Sequence, residues 1–211
     1  MKAIVIGGHT RNIGKTSVMT GLIRDLASLG WTAVKITQYG HGVCSQDGQP
    51  CDCAPTEHPF VLSEEHDAAG RGDTCRYLAA GARRSLWLRA RQGQLAQAFP
   101  LLQQAVAGEE WVIIESNSVL EFLKPLLYLV VLDGSSSDFK SSARRFFELA
   151  DALVPIESRV DMRVWPGLDP ASLGKPVFPV GPRQYASPEL SGFVRQRLEI
   201  GGPASIRAGG R

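Results

Sequence analysis

Short runs of apolar residues recur along the chain, separated by segments in which apolar positions return every three or four residues. A short apolar run is typical of a buried strand, and the longer period is typical of an amphipathic helix. The predicted strands are residues 2–6, 31–37, 85–89, 111–115, 127–133, 152–156 and 176–180. The predicted helices are residues 18–29, 95–107 and 142–150, with a last helix after an N-cap at Ser187.

This alternation predicts an α/β fold, a mostly parallel sheet with helices on both faces. We expect one domain over residues 1–200, because 211 residues with 44% apolar and 21% charged side chains are ordinary for a single globular domain. Residues 201–211 are rich in Gly, Arg and Ala and predict a disordered tail. Ligands bind at the carboxyl ends of parallel strands, so polar residues at those ends are the candidates for chemistry.

The turn between the first predicted strand and the first predicted helix is rich in glycine and ends in Gly14-Lys15-Thr16. A strand, such a turn and a helix N-terminus form the P-loop, which cradles the phosphates of a nucleoside triphosphate and gives this sheet a P-loop NTPase fold. The turn reads Gly-x5-Gly-Lys-Thr, because His9 stands where the usual first glycine belongs and Gly8 precedes it. The predicted nucleotide-binding residues are Gly8, Asn12, Ile13, Gly14, Lys15, Thr16 and Ser17.

Three side chains are predicted to act on the phosphates. Lys15 would contact the β- and γ-phosphates. Glu115 ends an apolar strand, where a carboxylate would hold Mg²⁺ or polarise water; the alternative is a solvated acid at a strand end. Lys35 lies between apolar residues of the second strand and predicts a site residue, the alternative being an edge lysine that reaches solvent.

The turn over residues 67–74 is a second carboxylate-rich segment. Asp67 and Asp73 would approach a metal and Arg71 a phosphate, the alternative being an exposed turn in which Asp73 caps a helix. The predicted Mg²⁺ ligands are Thr16, Asp67 and Glu115.

The segment 38–60 is polar and rich in cysteine, and four cysteines in a cytosolic protein favour metal binding or free thiols over disulfides. Cys44, Cys51, Cys53 and His58 predict a structural zinc site, with His41 as the rival fourth ligand. The alternative is free thiols in a mobile loop.

Charge and hydropathy exclude two classes of partner. A net charge of +2 gives no argument for nucleic acid binding, and no apolar run is long enough to span a membrane. A P-loop requires cellular nucleoside triphosphate, so the expected location is the cytoplasm.

The long P-loop resembles that of dethiobiotin synthetase and cobyrinic acid a,c-diamide synthase, within the P-loop class that includes signal-recognition, MinD and metallochaperone GTPases. Residues 34–37, the 67–74 turn, Ala-Gly-Ala at 80–82 and the strand end at 113–115 resemble the molybdopterin-guanine dinucleotide biosynthesis protein B (MobB) family. The second resemblance covers about residues 2–116.

The MobB resemblance implies a homodimer that binds GTP, hydrolyses it slowly and assists attachment of the nucleotide to the molybdenum cofactor. One alternative is an ATP-dependent synthetase in which Lys35 holds a carboxylate or carbamate substrate. Another is a nucleotide-gated protein that delivers metal through the cysteine loop. Related GTPases recognise the base through an Asn-Lys-x-Asp motif after a late strand. Residues 155–159 stand at the comparable place and do not match that motif, so only the resemblance favours GTP over ATP.

Overall fold

The apolar runs form the middle of a seven-stranded sheet in this computed structural model, which describes residues 2–40, 59–156, 165, 174–181 and 184–198. The strands are β1 (Lys2–Gly8), β2 (Thr32–Tyr39), β3 (Phe60–Glu65), β4 (Arg84–Arg91), β5 (Trp111–Glu115), β6 (Leu127–Leu132) and β7 (Ala152–Pro155). The helices are α1 (Lys15–Asp25), α2 (Asp73–Ala79), α3 (Leu95–Ala105), α4 (Ser141–Phe146) and α5 (Pro188–Arg197).

The strand order is β3-β4-β2-β5-β1-β6-β7, and each neighbouring pair is parallel except β3 with β4. β1 lies between β5 and β6, and β2 lies on the other side of β5. The predicted α/β class with a mostly parallel sheet is therefore confirmed. This order brings the carboxyl ends of β1, β2 and β5 to one edge of the sheet, beside the start of α1.

Alternate residues of β1 face two separate apolar layers. Ile4 and Ile6 pack in one cluster with residues of α1, α2 and α5, such as Leu22, while Val5 packs in the other with residues of α3 and α4. Side chains of a strand point to opposite faces in turn, so a strand buried on both sides reads as a continuous apolar run. The helices cover both faces of the sheet, as predicted.

The structure differs from the predicted elements at two strands. β3 was not predicted; it pairs antiparallel with β4 at the edge of the sheet. The predicted strand at 176–180 instead makes two isolated bridges, Leu153 with Val177 and Ile156 with Val180. Pro176 and Pro179 have no N–H to donate, which prevents a continuous ladder.

Helix ends also shift. The predicted helix 18–29 begins at Lys15 and ends at Asp25, followed by a 3₁₀ turn over Ala27–Leu29. Asp73 is the first residue of α2, and Gly72 rather than Asp73 is its N-cap. In the described part of the chain, no helix combines the length and apolar character needed to cross a membrane.

Candidate nucleotide-binding site

A cavity of about 700 Å³ lies where the carboxyl ends of β1, β2 and β5 meet the N-terminus of α1. Its lining brings together residues from the P-loop, the second strand and the end of the fifth. All the predicted nucleotide-binding and catalytic residues line it: Gly8, Asn12, Ile13, Gly14, Lys15, Thr16, Ser17, Lys35 and Glu115. The parallel topology accounts for this convergence, since residues far apart in sequence share one edge of the sheet.

The backbone of the turn has the left-handed residues that a phosphate cradle needs. Gly14 has φ 90° directly before α1, and Asn12 has φ 57°. Left-handed residues within a tight turn direct successive N–H groups into one concavity, and an 11-residue helix adds its positive end there. The turn is therefore shaped to receive an anion.

The end of β1 is fixed by Asn117, a residue that the sequence did not single out. The Gly8 amide donates to Asn117 Oδ1 at 3.0 Å, and Asn117 Nδ2 donates to the Gly8 carbonyl at 2.8 Å. A Cβ at Gly7 would lie 2.2 Å from Asn117 Oδ1 and 2.7 Å from the Tyr128 hydroxyl oxygen, so only glycine fits. The available signal was the position of Asn117, two residues beyond Glu115 at the same strand end.

Lys15 is the first residue of α1, and its ammonium donates back to the Thr10 carbonyl of the turn at 2.5 Å. Burial lowers the pKa of Lys15, while the charge of Glu115 acts in the opposite direction. Among the described residues, no carboxylate forms an ion pair with Lys15. A partly desolvated cation bonded only to a carbonyl is arranged to accept an anionic ligand.

Glu115 is buried, with 7% of its surface exposed. Its Oε2 accepts from the Thr16 hydroxyl at 2.7 Å and from the Tyr77 hydroxyl at 2.5 Å. Burial, reinforced by the charge of Glu115, raises the pKa of Tyr77 well above its usual value, so Tyr77 remains a donor. Glu115 is therefore built into the cavity wall and is not a solvated acid at a strand end.

Lys35 comes from β2, which lies inside the sheet between β4 and β5. Its ammonium pairs with Asp73 and lies 3.8 Å from Glu115 Oε1. The side chain is 16% exposed and faces the cavity, so Lys35 is not an edge lysine that reaches solvent.

The carboxylate of the 67–74 turn that lines the cavity is Asp73, and Asp67 does not line it. Asp67 Oδ1 accepts from the Ala69 amide of its own loop at 2.8 Å, which satisfies it locally. Arg71 is exposed and also lies outside the cavity lining. α2 begins at Asp73, so the helix directs this residue to the cavity and leaves Asp67 on the preceding loop. Of the predicted Mg²⁺ ligands, the structure brings together Thr16 and Glu115 only.

His9, which stands in the place of a P-loop glycine, is fully buried. Its Nε2 accepts from the Asp133 amide at 3.1 Å, so the proton is on Nδ1, which donates to the Asp138 carbonyl at 2.6 Å. Burial lowers the pKa of His9 and keeps it neutral. The ring packs 4.7 Å from Trp165 and 5.5 Å from Phe139, measured between ring centroids. His9 thus ties the P-loop to the loop that joins β6 to α4.

The predicted zinc ligands Cys44, Cys51, Cys53 and His58, and the rival His41, lie outside the described residues, as does the tail 201–211. Among the residues that the structure does describe, no group of three or more His, Cys, Asp or Glu side chains is arranged to hold a metal ion. Cys75, on α2, is a buried free thiol whose Sγ donates to Glu65 Oε2 at 3.2 Å.

The strand order, and the turn that joins β1 to α1 and ends in Gly14-Lys15-Thr16 at the helix start, define a P-loop NTPase fold. No family model and no curated protein matches the chain. Among solved structures it is similar to HypB from Helicobacter pylori in complex with nickel, at 13% identity over 95% of this chain and 89% of that chain, with a TM-score of 0.45.

Two other solved structures are similar. One is the signal recognition particle 54 kDa protein from Aeropyrum pernix in complex with GDP, at 14% identity over 94% of this chain and 46% of that one, with a TM-score of 0.47. The other is MobB from Bacillus subtilis, at 16% identity over 92% of this chain and 96% of that one, with a TM-score of 0.39. The chain thus spans about half the length of the signal recognition protein. At these identities the likeness concerns the fold alone.

Proposed function

We propose that the chain is a cytoplasmic protein that binds Mg²⁺ and a nucleoside triphosphate, with GTP favoured over ATP, and hydrolyses it slowly. We further propose an accessory role in the synthesis of molybdopterin guanine dinucleotide. The observation that carries nucleotide binding is the Thr16–Glu115 hydrogen bond of 2.7 Å, which lies next to Lys15 in a cavity at the N-terminus of α1. A lysine at the start of the P-loop helix beside a hydroxyl–carboxylate pair is the arrangement that a magnesium-bound polyphosphate requires.

The residues present fit Mg²⁺. This hard cation prefers oxygen ligands, and Thr16 and Glu115 present a hydroxyl and a carboxylate within hydrogen-bonding distance of each other. These two residues would hold the ion, which neutralises charge on the phosphates when bound.

Slow hydrolysis is supported by the surroundings of Glu115. Its Oε2 accepts from two hydroxyls and its Oε1 faces Lys35, so protein donors hold the carboxylate in place and compete with an attacking water for its oxygens. We therefore expect slow turnover by the chain alone and stimulation by a partner. The molybdenum cofactor role rests on the MobB resemblance of the motifs at 34–37, 67–74 and 113–115.

Titration calorimetry of the purified chain with Mg²⁺-GTP and Mg²⁺-ATP, with molybdopterin in parallel, tests the proposal. We expect binding of a nucleoside triphosphate, with GTP tighter, and slow single-turnover release of phosphate. Absence of binding by both nucleotides would overturn the proposal. A nucleotide affinity that is the same in the presence and in the absence of molybdopterin would remove the cofactor role only.

Lys35 favours a second candidate function, an ATP-dependent synthetase. Its ammonium faces the same cavity as the P-loop, where it would hold a carboxylate or carbamate for phosphorylation. The Asp73 carboxylate pairs with this ammonium, as a substrate carboxylate would. A burst of phosphate release that requires ATP together with a small carboxylic acid would favour the synthetase over the accessory protein.

We also propose that the chain is a homodimer, since both families that it resembles pair across the nucleotide face. We expect light scattering to give twice the chain mass in the presence of Mg²⁺-GTP. The mass of a single chain at all concentrations, with and without nucleotide, would contradict this prediction.

A structural zinc ion in the segment 38–60 is a further proposal, as is metal delivery gated by the nucleotide. Both rest on the spacing of Cys44, Cys51, Cys53 and His58. The two ends of this segment flank the end of β4, because the Gln92 amide donates to the Tyr39 carbonyl and the Arg91 amide to the Pro59 carbonyl, each at 2.8 Å. We expect elemental analysis to give one zinc per chain, lost when Cys51 and Cys53 are changed to serine. A ratio near zero would remove both proposals.

A further inference from the structure

We propose that Lys140 is a second phosphate-binding lysine, which acts with Lys15 and Arg11 to recognise the polyphosphate of the nucleotide. Lys140 lies directly before α4, far from the P-loop in sequence, yet its side chain lines the same cavity as Arg11 and Lys15. The inference rests on the proposed nucleotide binding and assigns a role to a residue that no sequence motif indicated.

The position of Lys140 is fixed by the P-loop itself. The Lys140 amide donates to the His9 carbonyl at 2.9 Å, while the His9 ring bonds to the backbone of Asp133 and Asp138. The Thr10 hydroxyl also donates to the Asp138 carboxylate. Residues of the phosphate-binding turn therefore hold both ends of the 133–140 loop, and any ligand that fits the turn meets Lys140 in a defined place.

The charges around Lys140 favour an anionic ligand. Its ammonium is half-buried and lies near the positive charges of Arg11 and Lys15. The nearby carboxylate of Asp138 accepts a hydrogen bond from the Thr10 hydroxyl. In the part of the chain that the structure describes, no acid forms an ion pair with Lys140. Three cations that face one cavity repel one another, and a bound polyphosphate offsets that repulsion.

A pH dependence follows from this arrangement. Burial, followed by the charges of Arg11 and Lys15, lowers the pKa of Lys140 to about 8 in the free protein. A phosphate beside the ammonium stabilises the protonated form and so raises this pKa. Affinity from the contact is therefore complete below about pH 8 and declines as the pH rises from the free pKa toward the bound one. Because the contact is worth about tenfold in affinity, we expect a loss of about fivefold between pH 7 and pH 9.

Calorimetry with Mg²⁺-GTP, Mg²⁺-ATP and inorganic tripolyphosphate, at pH 7 and pH 9, tests the inference. At pH 7 we expect Lys140→Met to bind all three ligands about tenfold more weakly than the wild type does. At pH 9 its affinities should be close to those of the wild type. Lys140→Arg keeps its charge at both pH values. It should therefore bind as the wild type does at pH 7 and show no fall in affinity between pH 7 and pH 9 that comes from this residue. Lys124→Met removes the same charge from an exposed residue outside the cavity and should behave as the wild type.

The outcomes separate this inference from nucleotide binding itself. Wild-type affinity in Lys140→Met, combined with loss of binding in Lys15→Ala, would overturn the role of Lys140 and leave the P-loop proposal intact. A decline in Lys140→Arg equal to that of the wild type would also overturn it, because the titrating group would then be Lys15. If the wild type binds none of the three ligands, nucleotide binding and the role of Lys140 both fall.

Discussion

Changing Lys15 to alanine is expected to lower the affinity for Mg²⁺-GTP or Mg²⁺-ATP at least about 100-fold, since two charge-assisted contacts to phosphate are worth about 1.5–3 kcal/mol each. The fold should remain intact, because the Lys15 ammonium bonds to one backbone carbonyl, that of Thr10, and makes no ion pair with a described carboxylate. The variant also removes a partly desolvated charge, so the melting temperature should stay the same or rise slightly. Calorimetry and thermal melting measure the two effects.

The control for Lys15→Ala is Lys124→Ala, which removes the same charge from an exposed position outside the cavity. Its affinity for nucleotide should equal that of the wild type, which would show that the loss at Lys15 is local. Nucleotide affinity in Lys15→Ala equal to that of the wild type would contradict the P-loop interpretation of residues 7–17.

The interior strands could be predicted because both of their faces are buried. β1, β5 and β6 are continuous apolar runs in sequence and are buried along almost their whole length. β3 has no such signal, since most of its residues are only half-buried at the edge of the sheet. Its pairing with β4 depends on the sheet as a whole, which a local pattern does not contain.

The phosphate turn could be predicted because its residues are contiguous and its chemistry depends on a short spacing. The groups that hold the turn in place are distant in sequence. Asn117 bonds to Gly8 across 109 positions, and Asp138 bonds to His9 across 129. Asp73 rather than Asp67 lines the cavity because α2 begins at Asp73. Helix boundaries are the least certain part of a sequence-based prediction. Sequence therefore indicated the centre of the site but not the residues that position it.

Changing Glu115 to glutamine is expected to lower nucleotide hydrolysis about 100-fold while nucleotide affinity changes by no more than about threefold. The amide keeps the shape of the carboxylate and can still accept at the Oε2 position from Thr16 and Tyr77. It loses the negative charge that faces Lys35 and with it the capacity to polarise the attacking water. Single-turnover hydrolysis of Mg²⁺-GTP and calorimetry of the same sample separate the two effects.

Tyr77→Phe is the matched control, because it removes one donor to Glu115 and leaves the carboxylate charged. Tyr77 is fully buried and its hydroxyl reaches Glu115 Oε2, so its loss should cost about 1 kcal/mol of stability, and hydrolysis should change by less than about tenfold. A Glu115→Gln variant that hydrolyses nucleotide at the wild-type rate would assign Glu115 to structure alone. A rate equal to that of Tyr77→Phe would mean that the hydrogen bonds of Glu115, and not its charge, support turnover. The predicted gap between the two variants therefore measures what the negative charge of Glu115 contributes at the reacting phosphate.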